Sequence, residues 1–144
     1  MLSREDYVLL LISLPGGRYD LDRIRVMKGM FLLAEEAPDG MPKLHNFKAY
    51  DWGPFSPDVY DDLDTLERRG LIAVEGGVRH RYETYRATSL GQVRAAQLIG
   101  SLPKPVAEKV AEVKNLVTSM PFLHLLEYVY DRHPDYAKRS KLRR

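Results

Sequence analysis

The chain contains no cysteine. That excludes a disulfide framework, thiol catalysis and thiolate metal sites, and it fits a reducing cytoplasm. Long apolar runs are missing too. Nothing approaches the roughly 20 residues of a membrane span, so no membrane partner is expected. The short run Leu9 to Ile12 follows Glu5 and Asp6, acids that do not belong in a secretory signal, so the segment reads as a helix of the mature protein. Histidine is sparse: His45, His80, His124 and His133 show neither H-x-x-x-H nor H-E-x-x-H spacing, which leaves no metal motif. Gly16-Gly17 and Gly76-Gly77 are isolated turns rather than a phosphate loop, and no serine sits in a nucleophile elbow. No catalytic, cofactor-binding or metal-ligating residue is therefore expected, and the reading is of a protein that is not an enzyme.

What is present is ordinary globular composition. At 144 residues, 44% hydrophobic and 29% charged, the chain is long enough to bury a core as one domain. The net charge of +2 hides an asymmetry. Residues 1–75 carry 9 Lys/Arg against 14 Asp/Glu, whereas residues 76–144 carry 13 against 6. Such a split points either to an acidic face docked on a basic one or to a basic surface held for an acidic partner.

Along the chain, Glu5 to Leu14 reads as a first helix capped by Ser3 and ended by Pro15-Gly16-Gly17. Asp20 to Glu36 reads as a second, capped by Asp20, with Leu21, Ile24, Met27, Phe31 and Ala34 on one stripe. Ala37 to Pro42 is loop by composition, and Phe47 to Trp52 alternates as a short extended segment. A helix over Ser56–Arg69 places Val59, Leu63 and Leu66 in the core and stops at Gly70. Leu71 to Glu75 and Tyr82 to Ala87 form a hairpin about Gly76-Gly77. Thr88 caps a helix to Ile99 that stops at Gly100. Pro103 and Pro105 open another through about Thr118, and Pro121 opens a last one with the stripe Phe122, Leu125, Leu126, Val129. His133-Pro134 ends it, and the basic tail Lys138 to Arg144 reads as frayed.

Helix, glycine stop, strand, hairpin and capped helix in that order predict a mostly α fold with a small β-hairpin: a winged helix-turn-helix core extended by N- and C-terminal helices. The organisation expected is one domain over 1–144, with the core at about 20–100, a helical extension at about 101–134 and the basic tail at 135–144. The turn Gly53-Pro54 needs glycine for its bend and proline for a fixed φ. Ser56 is placed to cap the helix, Pro57 suits the first helical position, and Asp58 complements the dipole. Trp52, Phe55 and Tyr60 are expected to cluster around the turn. That cluster is either a well-built helix entry or a partly exposed anchor for a partner.

The block Gly53-Pro54-Phe55-Ser56-Pro57-Asp58-Val59-Tyr60 is similar to the GP-x-(S/V)-P-x-VY core of the Panacea domain, an antitoxin-associated domain, and to the related YwgA-like bacterial proteins. Lys28, Phe31 and Leu32 match the lysine and Phe-Leu pair of the preceding helix in those families, and Trp52 matches the aromatic residue before Gly-Pro. The resemblance covers about residues 20–75. The stretch from Leu125 to Ser140 looks more like the YwgA-like set. What the resemblance implies is a winged-helix-like adaptor that binds proteins, a toxin among them, and is not catalytic.

A groove-reading helix should not be acidic. The non-core positions of the helix before the hairpin are Asp58, Asp61, Asp62, Asp64, Thr65 and Arg68, whose carboxylates oppose a phosphate backbone. The leading expectation is therefore a protein-binding surface made of Trp52, Phe55, Asp58, Asp61 and Asp62. The alternative is a DNA-binding regulator that contacts nucleic acid through its wing, with Arg79, His80, Arg81 and Arg86 on phosphate or in a minor groove. It would be a homodimer whose seam is the last helix, with Tyr128 and Tyr130.

Overall fold

The computed structural model describes residues 2–39, 41–42, 44–76 and 83–141. It is mostly helical, with two small antiparallel hairpins. Helix α1 (Arg4–Ser13) begins with a capping box: the Ser3 hydroxyl accepts the Asp6 N–H, and the Asp6 carboxylate accepts the Ser3 N–H. Seven of its ten residues are buried, so α1 is the central helix rather than an appendage. It packs against α2 (Arg23–Glu36), α3 (Pro57–Arg68), α4 (Ser89–Ser101) and α5 (Lys104–Val117). Helix α6 (Phe122–Arg132) and a 3-10 turn (Pro134–Ala137) close the chain. The core is one continuous cluster drawn from all six helices, with Leu21, Leu71, Ile72 and Tyr85 beside them.

The expected succession of helix, glycine stop and hairpin is present. Gly70 ends α3 at φ +73°. Strand β3, the third strand in the chain (Ile72–Glu75), pairs with β4 (Thr84–Ala87). Leu21 adds a third partner, its carbonyl accepting the Tyr85 N–H at 2.9 Å beside an Asp22–Thr84 bridge. Thr88 then caps α4 by accepting the Gly91 N–H. Gly91 is required there, because a Cβ would lie 1.9 Å from the Leu71 carbonyl oxygen.

Several expectations are corrected. The cap of α2 is Asp22, not Asp20; its carboxylate accepts the Arg25 N–H at 2.8 Å. Ile24, placed on the buried stripe, is 37% exposed. Ser56 makes no side-chain cap; its hydroxyl is buried without a partner, while its N–H points at the Met27 sulfur. Helix α4 runs through Gly100 to Ser101. The extended segment is half of a hairpin: β1 (Lys48–Tyr50) folds back on β2 (Gly53–Phe55) across the Asp51-Trp52 turn. The stripe of α6 is core, with Leu125, Leu126, Val129 and Tyr130 fully buried, so that face is not open to form a dimer seam. The tail does not fray at its start. Ser140 is buried, and the Lys141 N–H donates to the Asp51 carbonyl at 2.9 Å.

Candidate functional site

The β1–β2 hairpin packs against α2, α6 and the 3-10 turn Pro134–Ala137, and its turn carries the chain's only tryptophan. Two features fix that turn. Gly53 has φ +97°, a conformation that side chains resist. A Cβ there would also stand 3.0 Å from both Leu126 Cδ1 and Lys28 Cε. Beneath it the Lys28 ammonium donates to the Trp52 carbonyl oxygen.

Trp52 is 42% exposed and Tyr50 48% exposed. The Trp52 ring meets Phe122 of α6 edge-on at 5.9 Å. Phe55 stacks on Tyr50 at 5.3 Å and meets Tyr60 of α3 edge-on at 5.5 Å. The expected cluster is therefore divided: Phe55 and Tyr60 touch, and Trp52 turns toward α6. Between these rings lies a groove of about 230 Å³, walled by Ile24, Met27, Tyr50, Asp51, Trp52, Phe55 and Tyr60, with the buried Lys28 at its floor. The Arg23 guanidinium lies over the Tyr60 ring at 4.6 Å, and that of Arg139 over Tyr50 at 5.4 Å.

Lys28 is 4% exposed. Burial pulls its pKa down to about 8, opposed by the field of Asp22. The reason is elementary: a desolvated ammonium with little compensation favours its neutral form.

The acidic helix divides as well. Asp61, Asp64 and Glu67 are exposed on α3, and Asp58 is half-buried beside Arg4 at 3.4 Å. Asp62 does not belong to that surface. It is buried, with Arg4 Nε at 2.8 Å and His45 Nε2 at 2.7 Å. Burial alone would raise its pKa, but the hydrogen bonds from His45 and Arg4 hold it below the usual carboxylate value. Asp62 thus ties α3 to α1 and to the loop before β1, and is removed from the docking residues.

On the wing, Arg79, His80 and Arg81 lie outside the described residues. Arg86 is exposed on β4 and forms an ion pair with Glu75 across the hairpin. Among the described residues no group of three or more His, Asp or Glu side chains is arranged to hold a metal ion, and no helix is long and apolar enough to cross a membrane.

Trp52 and Phe55 thus share one site, Asp58 and Asp61 lie on the helix that follows it, and Asp62 faces inward. Reading the chain for exposed anchors missed Tyr50, Ile24 and the depth of Lys28. A signal for Lys28 existed: it interrupts the apolar run Val26-Met27-Lys28-Gly29-Met30, where a solvated lysine would not sit. No protein-family model matches the chain, and no curated protein is significantly similar to it.

Proposed function

We propose that the protein is a noncatalytic cytoplasmic binding module, adaptor- or antitoxin-like, that holds a protein partner at the aromatic turn of Trp52 and Phe55, with Asp58 and Asp61 at its flank. One observation carries this reading: the single tryptophan is exposed, yet its turn is pinned by Lys28, Gly53 and the Phe122 contact. A pre-ordered aromatic side chain loses little freedom on association and is the kind of residue that dominates binding energy. The resemblance to Panacea and YwgA-like proteins at Gly53 to Tyr60 points the same way. Affinity capture from the host extract, with wild type beside a Trp52→Ala, Phe55→Ala variant of unchanged circular dichroism, tests it. Partners held by wild type and lost by the variant are the expected result. Retention of every partner would remove the aromatic turn from the function.

The DNA-binding reading has the basic second half of the chain in its favour. Against it stand the exposed Asp61, Asp64 and Glu67 on α3 and the pairing of Arg86 with Glu75. Fluorescence anisotropy with random-sequence duplex at low and physiological salt separates the two. Salt-sensitive binding abolished by Arg79→Ala with Arg81→Ala would favour the wing.

A further inference from the structure

The groove at the aromatic turn has a floor that its walls do not explain. Apart from Asp51, which pairs with Lys141 at 3.5 Å, its walls are rings and aliphatic chains, which suit an apolar side chain. Its floor is an ammonium group, which does not. Lys28 has three N–H donors, and its one acceptor among the described residues is the Trp52 carbonyl oxygen. A charged donor left this deep with so little compensation is costly in isolation. It becomes favourable when an incoming acceptor completes it.

Charged groups of both signs surround the groove, and Arg23 is itself paired, with Glu83 at 3.5 Å. Arg23 and Arg139 lie over the Tyr60 and Tyr50 rings at its rim. The nearby acids are engaged: Asp22 caps α2 and pairs with Arg25 at 2.6 Å, Asp51 has Lys141 at 3.5 Å, and Asp58 has Arg4 at 3.4 Å. Helix α6 brings Phe122 to the Trp52 ring and Leu126 to Gly53. The groove therefore offers mainly hydrophobic walls around the Lys28 ammonium, the one cation among its described lining residues, with Asp51 paired to Lys141. Its volume of about 230 Å³ falls below the roughly 300–1,000 Å³ of sites for drug-sized ligands. It accommodates one anchoring residue rather than a cofactor.

We infer that the groove captures the C-terminal residue of a partner polypeptide, with the apolar side chain between Trp52, Phe55 and Tyr60 and the free α-carboxylate on the Lys28 ammonium. A C-terminal Leu or Phe supplies apolar bulk and negative charge within one residue, which an internal Glu does not. Recognition of a chain end through a fixed donor is an established mode of peptide binding. The inference rests on the protein-binding reading above and names the chemistry of its partner.

Trp52, as the only tryptophan, reports the site directly by its fluorescence. The probes are three N-acetylated tetrapeptides: Ala-Ala-Leu-Leu with a free carboxylate, the same peptide as its C-terminal amide, and Ala-Glu-Leu-Leu as the amide. At pH 7 the free acid is expected to bind at least tenfold more tightly than either amide. In Lys28→Met, checked for native circular dichroism, acid and amide should bind alike. Equal affinity for acid and amide, an internal glutamate as good as the free terminus, no binding of the acid, or a preference that survives Lys28→Met would each overturn the inference. An apolar groove that binds acid and amide equally would still leave the aromatic turn as a docking site. The capture experiment with Trp52→Ala judges that reading separately.

Discussion

Two buried lysines, one on α2 and one on α5, differ in what surrounds them. Lys114 on α5 and Lys28 on α2 are 6% and 4% exposed, and burial pulls both down to about 8. Their surroundings differ. The Lys114 ammonium donates to the carbonyl oxygens of Leu11 at 2.7 Å, Ile12 at 2.8 Å and Leu14 at 2.9 Å. Those groups end α1, where helices leave carbonyls unpaired and the dipole is negative. Lys114 therefore caps α1 from another helix, and every one of its protons has an acceptor. Lys28 has one acceptor and a groove. The same side chain at the same depth is a finished structural joint in one place and an open donor in the other.

Deletion should separate the two lysines most. Lys114→Met strands three carbonyls at the end of the central helix and should lower unfolding free energy by about 3 kcal/mol or more, read by urea denaturation. A loss below about 1 kcal/mol would mean that the cap is not needed.

Alkaline pH separates the pair next. A lysine whose folded pKa lies below its unfolded value of 10.5 holds its proton more weakly in the folded state. The cost of burial is then fully present below pH 8 and is relieved as pH rises toward 10.5. Each of the two lysines should contribute a rise of about 2 kcal/mol between pH 8 and 10. Above that window the tyrosines oppose the gain, because Tyr85, pushed up to about 12 by burial, loses its proton more readily unfolded. In Lys28→Met its share, about half of the rise, should vanish, while Lys114, lowered as far by burial, keeps the other half. An unchanged slope would assign the titration elsewhere.

Gly53→Ala sharpens the account of the open site. It forces a side chain into φ +97° and brings a Cβ to 3.0 Å from Lys28 Cε. A cost of about 2 kcal/mol is expected, with a shift in Trp52 emission as the turn moves. Retention of wild-type stability and emission would show that the turn is not pinned. The smallest effect belongs to Lys28→Met, expected within about 1 kcal/mol of wild type, because an apolar replacement relieves the desolvated charge while losing one hydrogen bond. A loss as large as that of Lys114→Met would make Lys28 a structural residue and erase the contrast.

Local chemistry made much of the fold legible. The caps Ser3 and Thr88, the stop at Gly70, and the starts after Pro103 and Pro121 depend on a few neighbouring residues, and each is where the chain suggested. What failed depends on distant partners. Asp62 looks like one more exposed carboxylate of α3, yet its partners Arg4 and His45 lie 58 and 17 residues away. Tyr130 lies one residue beyond the α6 stripe and is nonetheless fully buried, through tertiary packing that the stripe alone does not reveal. The β1–β2 hairpin hid behind Pro54, which discourages reading Gly53 to Phe55 as a strand. Of the candidate site, Trp52, Phe55 and the Gly-Pro turn were legible. The groove was not, because Ile24, Lys28 and Tyr60 reach it from two other helices.

The most direct test of an open donor at Lys28 is its own titration, followed by the ¹³Cε resonance of labelled lysine and assigned with Lys28→Met, in free protein and in protein saturated with N-acetyl-Ala-Ala-Leu-Leu. An open donor should show a midpoint near pH 8 in free protein that moves upward by at least one pH unit with the peptide, while Lys114 does not move. A Lys28 midpoint unchanged by saturating peptide, or one already at the ordinary lysine value in free protein, would contradict it.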